Sequence, residues 1–179
     1  MNCFNGEDYL QSSLESILAQ TYQNYEIIFI DNCSSDRSVA IASSFNDERL
    51  IIKATPQHLN IGKARNYGAQ FFSGKYLAFL DVDDLWMPDK LSKQVEVMDR
   101  LDLVLTYGGA RIIDADNNTL KEFIPSKATV SFGELLYRYN INQQTVMINL
   151  EQERVAFIES KQYAPDNPLF MSIIAKHEQ

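Results

Sequence analysis

The stretch YLAFLDVDDLWMPDKL, residues 76–91, joins a short apolar run directly to a cluster of acidic residues. A continuous apolar run of this kind is typical of a strand that is buried on both faces. The carboxylates of Asp81, Asp83 and Asp84 follow it at once. Carboxylates this close raise one another's pKa unless a cation lies between them, and a helix cap needs only one of them. We therefore expect the cluster to bind a ligand.

The chain before this cluster alternates between helical and strand patterns. Apolar residues recur at helical spacing from Leu10 to Leu18, and the runs EIIFID and LIIKA are typical of short buried strands. This alternation predicts an α/β fold with a mostly parallel sheet covered by helices on both sides. The predicted elements are helices at 10–18, 36–45 and 60–72 and strands at 26–31, 50–54 and 76–80, with Pro88 in the first turn of a further helix.

The second half of the chain has a less regular pattern. Two strand-like runs flank the turn signal DADNN and together predict a β-hairpin within residues 103–124. A helix at 132–139, a strand at 145–150 and a last helix from about residue 166 complete this irregular α+β half.

Composition excludes several classes of protein. The 179 residues suit one domain, and a net charge of −8 argues against a nucleic-acid binder, which would need a basic face. No apolar run is long enough to predict a transmembrane helix. The only two cysteines, Cys3 and Cys33, lack zinc-site spacing and are too few for a disulfide framework, so we expect a reduced, cytoplasmic protein.

Polar residues collect at three predicted strand ends. Asn5 precedes the first helix, Asp31 and Asn32 close one strand, and the acidic cluster closes another. Ligands of open parallel sheets bind outside the carboxyl ends of the strands. Each position alone could instead be a helix cap or a solvated turn. Together they predict one binding edge.

The cluster itself has the ligand chemistry of a divalent cation site. Carboxylate oxygens suit Mg²⁺ or Mn²⁺, with phosphate and water completing the coordination. If the segment is extended, Asp81 and Asp83 share a face and Val82 points into the core. A cation held there would neutralise a diphosphate leaving group.

Two long stretches resemble the family 2 glycosyltransferases, which have a GT-A fold. They are FNGEDYLQSSLESILAQTYQNYEIIFIDNCSSD (4–36) and NIGKARNYGAQFFSGKYLAFLDVDDLWMPDKL (60–91), and several signatures of the family occur in them in the expected order. The resemblance covers about residues 1–100. It implies a GT-A-like, Rossmann-type three-layer sandwich in which residues 1–102 bind a nucleotide-sugar and residues 103–179 bind the acceptor.

The resemblance also implies roles for individual residues on the donor side. Phe4 and Asn5 stand in the aromatic-Asn start of the family, where the aromatic ring often stacks on the base. Asp31 and Asn32 stand where an acidic pair contacts the base or ribose, and Asn32 departs from the pattern because an amide also donates. The remaining positions are Arg65 beside the donor, Asp83 and Asp81 as metal ligands, and Asp84 at the metal or donor sugar.

On the acceptor side the correspondence rests on fewer residues. Asp166, in the segment YAPDNPLFMSI, is the expected general base, although a helix N-cap would also explain it. Gln143 and Gln144 could contact sugar hydroxyls or form an ordinary turn. Trp86 could shape the sugar pocket or pack in the core. For Arg65 the alternative is a charge on a helix surface.

Two features depart from the family pattern. Members begin with a strand of apolar residues before the N-terminal motif, whereas Met1 stands almost at that motif. Loss of such a central strand is expected to destabilise the sheet. The chain also ends soon after Asp166, so we expect it to be the catalytic core of a longer protein, trimmed at both ends.

The leading hypothesis is an inverting glycosyltransferase of cell-surface polysaccharide synthesis. It would transfer a sugar from a UDP-sugar to a glycan or lipid-linked acceptor, using Mn²⁺ or Mg²⁺, in the cytoplasm or at the inner face of the membrane. The alternatives are a catalytically impaired nucleotide-binding relative and a sugar-phosphate nucleotidyltransferase, which would need a basic phosphate loop. A phosphorelay receiver domain would need a strand-end lysine late in the chain.

Overall fold

The computed structural model describes residues 1–137, 141–159 and 166–177, with the side chains of 135–137 and 166–167 excepted. Within these ranges, strands and helices alternate through the first half, as the sequence predicts. The strands are β1 (Asn2–Cys3), β2 (Ile27–Asp31), β3 (Leu50–Ala54), β4 (Tyr76–Ala78), β5 (Leu105–Thr106), β6 (Ala110–Ile113), β7 (Thr119–Phe123) and β8 (Met147–Asn149). The helices are α1 (Leu10–Leu18), α2 (Ser38–Ser44), α3 (Ile61–Ala69), α4 (Lys90–Leu101), α5 (Phe132–Tyr137) and α6 (Asp166–His177).

The first sheet is parallel and has the strand order β1-β2-β3. Every residue of β2 is buried, as its unbroken apolar sequence predicts for a central strand. Leu10 and Leu14 of α1 are fully buried against Phe29 of β2. Burial of this apolar face is the main stabilising contribution to the first half.

The second sheet is antiparallel and has the order β4-β8-β5. It forms because β8, which is buried along its whole length, lies between β4 and β5. Its core contains Phe79 and Phe157 from the described loops and Phe170 from α6. The α/β fold class predicted from the sequence is confirmed, and the antiparallel half reflects the insertion of a strand from late in the chain.

The predicted hairpin is confirmed as β6 and β7, which pair with each other and leave all of β7 exposed. Its turn is closed by Asp114, whose Oδ1 accepts hydrogen bonds from the backbone N–H groups of Asp116 and Asn118, both at 2.9 Å. Asn117 has a positive φ of 63°, which asparagine tolerates better than most residues. None of the described helices is long and apolar enough to cross a bilayer.

Several predicted boundaries are wrong by a few residues. Strand β4 ends at Ala78 rather than residue 80, and β8 is preceded by a 3₁₀ turn at Gln143–Thr145. Pro88 does not lie in the first turn of α4, which begins at Lys90. The Pro88 carbonyl instead accepts a hydrogen bond of 2.8 Å from the N–H of Thr21, which ties the segment before α4 to the end of α1.

Helix α4 carries a buried ammonium group. The Nζ of Lys90 has no hydrogen-bond partner among the described residues and lies 4.1 Å from the centroid of the Trp86 ring. Burial lowers the pKa of Lys90 to about 7. A cation on an aromatic face gains some attraction, but an ammonium that lacks hydrogen bonds loses more in hydration.

We expect Lys90→Met to raise the free energy of unfolding by about 1–2 kcal/mol at pH 7. The folded-state pKa lies below the ordinary 10.5, so the wild-type protein should gain stability as the pH rises from about 7 towards 10.5. The variant should lack that gain. Denaturant unfolding at pH 7 and pH 9 measures both effects, with Lys93→Met on the exposed face of α4 as the control. A variant less stable than wild type would mean that the contact with Trp86 outweighs the loss of hydration.

Candidate active site

The acidic cluster forms a tight turn at the end of β4. The N–H of Asp84 donates to the carbonyl of Asp81 at 3.2 Å. The hydroxyl of Ser13, buried in α1, lies 2.8 Å from the Asp84 carbonyl and 3.2 Å from the Asp81 carbonyl. The segment is therefore a turn and not the extended segment that the sequence suggested, although Asp81 and Asp83 still line one cavity. Helix α1 fixes the position of the turn instead.

Val82 points inward, as predicted. It packs against the core of the first sheet, beside Cys3 and Leu80. A Cβ added to Gly6 would lie 2.9 Å from the Val82 side chain, closer than real contacts allow. The glycine of the N-terminal motif is therefore needed so that the turn can approach the loop before α1.

Asp81 is held from two sides. Its Oδ2 accepts a hydrogen bond of 2.9 Å from Nε2 of Gln144, and its Oδ1 lies 3.5 Å from Nη2 of Arg65. The Arg65 guanidinium supplies positive charge within the cluster, which offsets part of the repulsion between the carboxylates. Both oxygens of Asp81 are thus already engaged by protein groups.

Arg65 is buried, which excludes its interpretation as a charge on a helix surface. Only 8% of its side chain is exposed. Nη2 donates to Oε1 of Gln143 at 2.7 Å, and the guanidinium carbon lies 5.6 Å from the centroid of the Phe157 ring. Arg65 thereby connects α3 to the turn after β4 and to the second half of the chain.

Asp83 and Asp84 differ in their surroundings. Asp83 is exposed and accepts no hydrogen bond within the part of the chain that the structure describes. Asp84 is half-buried, and its pKa rises to about 6, chiefly through burial and also through the charges of Asp83 and Asp81. A hydrogen bond from Gln144 offsets part of this rise. Asp83 is the carboxylate that is most accessible to a ligand.

A cavity of about 360 Å³ extends from the acidic turn to the N-terminal motif. Asp81 and Asp83 lie at one part of its wall, and Phe4 and His58 at another. The centroids of the two aromatic rings are 4.3 Å apart, and Phe4 is half exposed. The sequence alone gave no signal for His58, and only its position in space assigns it to this cavity.

The other donor-side residues hold the backbone around this cavity. Asn32 is buried, and its Oδ1 accepts from the N–H of Leu59 at 2.8 Å and the hydroxyl of Thr55 at 3.1 Å. Its Nδ2 donates to the Leu59 carbonyl at 2.8 Å. This use of both ends of the amide explains why asparagine fits where the family pattern has an acid. Sequence alone gave no signal for these bonds.

Asp31 and Asn5 also make hydrogen bonds to nearby backbone. Asp31 is buried, and its Oδ1 accepts from the N–H of Ser34 at 3.1 Å. Asn5 has a positive φ of 52°, and its Oδ1 accepts from the N–H of Ser35 at 2.8 Å. The turn after β2 and the N-terminal motif are therefore joined by hydrogen bonds.

On the acceptor side, the structure places Gln143 and Gln144 beside Arg65 and Asp81 rather than apart from them. Trp86 is half-buried in core contacts and donates from Nε1 to the Gln144 carbonyl at 3.1 Å. Asp166 is the first residue of α6, and its side chain lies outside the described residues.

The carboxylates of the acidic turn suit a cation that is also coordinated by a bound ligand. Among the described residues, no three His, Cys, Asp or Glu side chains converge closely enough to hold a metal by themselves. Mg²⁺ and Mn²⁺ are commonly bound by one or two carboxylates together with substrate phosphates. The exposed Asp83, with Asp84 beside it, offers that arrangement.

Residues 1–159 match the family described as Glycosyl transferase family 2. The chain belongs to this family of transferase enzymes. The resemblance seen in the sequence is thereby confirmed over most of the chain.

Two curated family members show how far the similarity extends. The chain is 29% identical over 175 residues to the putative teichuronic acid biosynthesis glycosyltransferase TuaG of Bacillus subtilis, covering 97% of this chain and 69% of that protein. It is 32% identical over 149 residues to the Escherichia coli protein WfgD, named UDP-Glc:alpha-D-GlcNAc-diphosphoundecaprenol beta-1,3-glucosyltransferase, covering 83% of this chain and 58% of the relative.

Solved structures of glycosyltransferases share the fold. Staphylococcus aureus TarS 1–349 in complex with UDP superposes with a TM-score of 0.77 at 18% identity, covering 97% of this chain and 53% of that one. The mannosyltransferase PcManGT of Pyrobaculum calidifontis, in complex with GDP-Man and Mn²⁺, superposes with a TM-score of 0.65 at 17% identity. The match covers 93% of this chain and 48% of PcManGT. The GT-A-like sandwich is confirmed, and this family 2 chain spans about half the length of these structures.

We expect Asp84→Asn to stabilise the protein at neutral pH. Because the folded-state pKa of about 6 lies above the ordinary 3.8, protonated Asp84 contributes stability below about pH 4 that is lost as the pH rises through 6. The variant should keep that contribution and be more stable by about 1–2 kcal/mol at pH 7.5, since solvent screens part of the repulsion around this half-buried side chain. Denaturant unfolding between pH 4 and pH 7.5 measures the difference.

The matched control is Asp83→Asn, which removes the neighbouring charge at an exposed position. Its effect at pH 7.5 should be smaller than that of Asp84→Asn. Equal pH dependence in wild type and Asp84→Asn would contradict the assignment of the raised pKa to this residue.

Proposed function

We propose that the chain binds the nucleotide-sugar donor of an inverting glycosyltransferase. The proposal rests on one observation. The aromatic pair and the acidic turn line the same cavity, in different parts of its wall. A base and a diphosphate are joined through a ribose and need an apolar surface and a cation site at a corresponding separation. On this proposal residues 1–102 bind the donor and residues 103–179 contribute the acceptor side.

Phe4 is the proposed stacking surface for the base, with His58 held beside it. His58 Nδ1 lies 3.1 Å from the Asn32 carbonyl, which fixes the orientation of the imidazole ring. Because Asn32 and Asp31 hold the surrounding backbone, their role is to shape this end of the cavity. Asn5 does the same for the loop that carries Phe4.

Asp83 is the proposed principal ligand of the cation, and Asp84 the nearest supporting carboxylate. A divalent cation, Mn²⁺ or Mg²⁺, would supply positive charge against the diphosphate of the donor. Asp81 would contribute one oxygen only by exchanging a protein partner, Arg65 or Gln144, for the ligand. Arg65 and Gln144 therefore hold the Asp81 side chain in a fixed orientation before the donor binds.

The transfer itself requires a base for the acceptor hydroxyl, and Asp166 is the proposed residue. It would remove the proton as the hydroxyl attacks the anomeric carbon opposite the departing diphosphate. Gln143, Gln144 and Trp86 support the donor turn in this proposal, since their polar groups already contact Arg65, Asp81 or each other.

UDP is the proposed donor nucleotide, and a lipid-linked glycan the proposed acceptor. The support is that WfgD is named for a UDP-Glc donor and a diphosphoundecaprenol-linked acceptor, and that TarS was solved with UDP. The putative role of TuaG in teichuronic acid biosynthesis supports a place in cell-surface polysaccharide synthesis. An acceptor of this kind would bring the protein to the cytoplasmic face of the membrane as a peripheral protein.

The first test is calorimetry with UDP, GDP and dTDP, each with and without Mn²⁺. We expect UDP to bind most tightly and Mn²⁺ to strengthen its binding at least tenfold. Asp83→Ala should abolish the gain from Mn²⁺ because it removes the accessible carboxylate. Asp116→Ala, in the exposed hairpin turn, is the matched control and should behave as wild type. A folded protein that binds none of the three nucleotides would overturn the proposal.

The second test separates the base end of the cavity from the metal end. Phe4→Ala should weaken UDP binding by about 1–3 kcal/mol, as loss of an aromatic stacking surface does for other bases. The tenfold gain from Mn²⁺ should persist, because the acidic turn is unchanged. Phe4→Tyr should restore binding. If Phe4→Ala removed the effect of Mn²⁺ instead, the two ends of the cavity would not act as proposed.

A further inference from the structure

Helix α3 holds the backbone of residues 157–159, a stretch that we call the clamped segment. Nδ2 of Asn66 donates to the Phe157 carbonyl at 2.9 Å, and Oδ1 of Asn66 accepts from the Phe157 N–H at 2.8 Å. The same Nδ2 lies 3.0 Å from Oε1 of Glu159. The two backbone bonds resemble those that a neighbouring strand would supply, although the described chain has no strand at Phe157. One side chain of the first half therefore fixes a residue of the second half.

Two more residues near the start of α3 complete the clamp. Asn60 donates from Nδ2 to the Glu159 carbonyl at 3.1 Å. Gly62 lies so close to the Ile158 carbonyl that an added Cβ would clash with it. Gly62 and Asn66 are about one helical turn apart, which places them on one face of the helix. Every residue of the clamped segment is thus contacted through its backbone.

The ring of Phe157 extends this contact to α6. Phe79 packs edge to face against two rings, with centroid distances of 5.8 Å to Phe157 and 6.4 Å to Phe170. We call these three residues the phenylalanine row. Phe79 precedes the acidic turn, which begins at Asp81, and Asp166 begins α6 about one turn before Phe170. The row therefore lies between the strand that leads to the acidic turn and the helix that begins with the proposed base.

The neighbour of Asn66 in α3 connects the same ring to the acidic turn. The guanidinium carbon of Arg65 lies 5.6 Å from the centroid of the Phe157 ring, and Nη2 lies 3.5 Å from Oδ1 of Asp81. Asn66 thus holds the backbone of Phe157 while Arg65 contacts its ring. Displacement of the clamped segment would be felt on both sides of the site.

We propose that Asn66 is a positioning residue for the transfer step. By holding Phe157 it fixes the phenylalanine row, and the row sets the position of α6 relative to the acidic turn. This inference rests on the proposed function, because the role of Asp166 as the base belongs to that proposal. Of the described residues, those that line the cavity proposed to bind the donor do not include Asn66. Its effect should therefore fall on the placement of α6 and not on donor binding.

The first test is amide hydrogen exchange without nucleotide. Asn66→Ala removes both backbone bonds, so the Phe157 amide should exchange about tenfold faster, and the Phe170 amide in α6 should lose protection with it. Tyr67→Phe is the matched control, since it removes the hydrogen bond of 3.0 Å from the next side chain of α3 to the Ala54 carbonyl. Wild-type exchange at either phenylalanine in Asn66→Ala, or an equal loss at Phe170 in the control, would overturn the proposal.

Gly62→Ala disturbs the clamp while Asn66 is kept. On an exposed helix this substitution is stabilising, because alanine favours helices more than glycine does. Here the added methyl group would meet the Ile158 carbonyl, so we expect the clamped segment to be displaced. The Phe157 and Phe170 amides should then exchange faster, as in Asn66→Ala. Increased protection of both amides would mean that α3 does not hold the clamped segment, and it would contradict the proposal.

Binding of UDP with Mn²⁺ separates positioning from stability. Mn²⁺ at the acidic turn would speed the relaxation of nearby protons with the inverse sixth power of their distance, so the Phe170 amide proton reports how far α6 lies from the metal. Asn66→Ala and Tyr67→Phe should both keep the wild-type affinity for UDP with Mn²⁺, measured by calorimetry. Only Asn66→Ala should alter the relaxation at Phe170.

Two results of the Mn²⁺ experiment would overturn the inference. One is wild-type relaxation at Phe170 in Asn66→Ala, which would mean that α6 keeps its place without the clamp. The other is a loss of UDP affinity in Asn66→Ala alone, which would assign the residue to donor binding. If the wild-type chain binds no UDP with Mn²⁺, the proposed function fails, whereas hydrogen exchange still decides whether Asn66 fixes α6.

Discussion

The contact on which the site depends is that between the buried Arg65 and Asp81. Arg65 belongs to α3, Asp81 begins the turn after β4, and Gln143, which accepts from the same guanidinium, belongs to the second half of the chain. A buried guanidinium is costly unless its donors are used and an opposite charge is near. The three segments must therefore come together in one arrangement for Arg65 to be stable in the interior. That arrangement places Asp81 and Asp83 in the wall of the cavity that is proposed to bind the donor.

Other residues that the sequence suggests as ligand contacts also stabilise the fold. Asn32 uses both ends of its amide on Leu59 and Thr55, and Ser13 spans two carbonyls of the acidic turn. These bonds fix the backbone, which leaves Phe4 and Asp83 as the side chains that face a ligand freely. Preorganisation of this kind reduces the ordering that accompanies binding of a ligand.

The two cavities are connected through the acidic turn. Asp81 lines both the cavity that is proposed to bind the donor and a cavity of about 740 Å³ between the two sheets.

The sequence by itself determined the order of elements and the identity of the family, because both depend on local patterns. EIIFID and LIIKA became β2 and β3, and the acidic cluster was placed at a strand end as expected. Only the tertiary structure decided which polar residues face a ligand. His58 lies 54 positions from Phe4 along the chain, yet the two rings are in contact, and Gln144 reaches Asp81 from the other half. Such contacts depend on how distant segments pack, and the local periodicity of one sequence does not predict that packing.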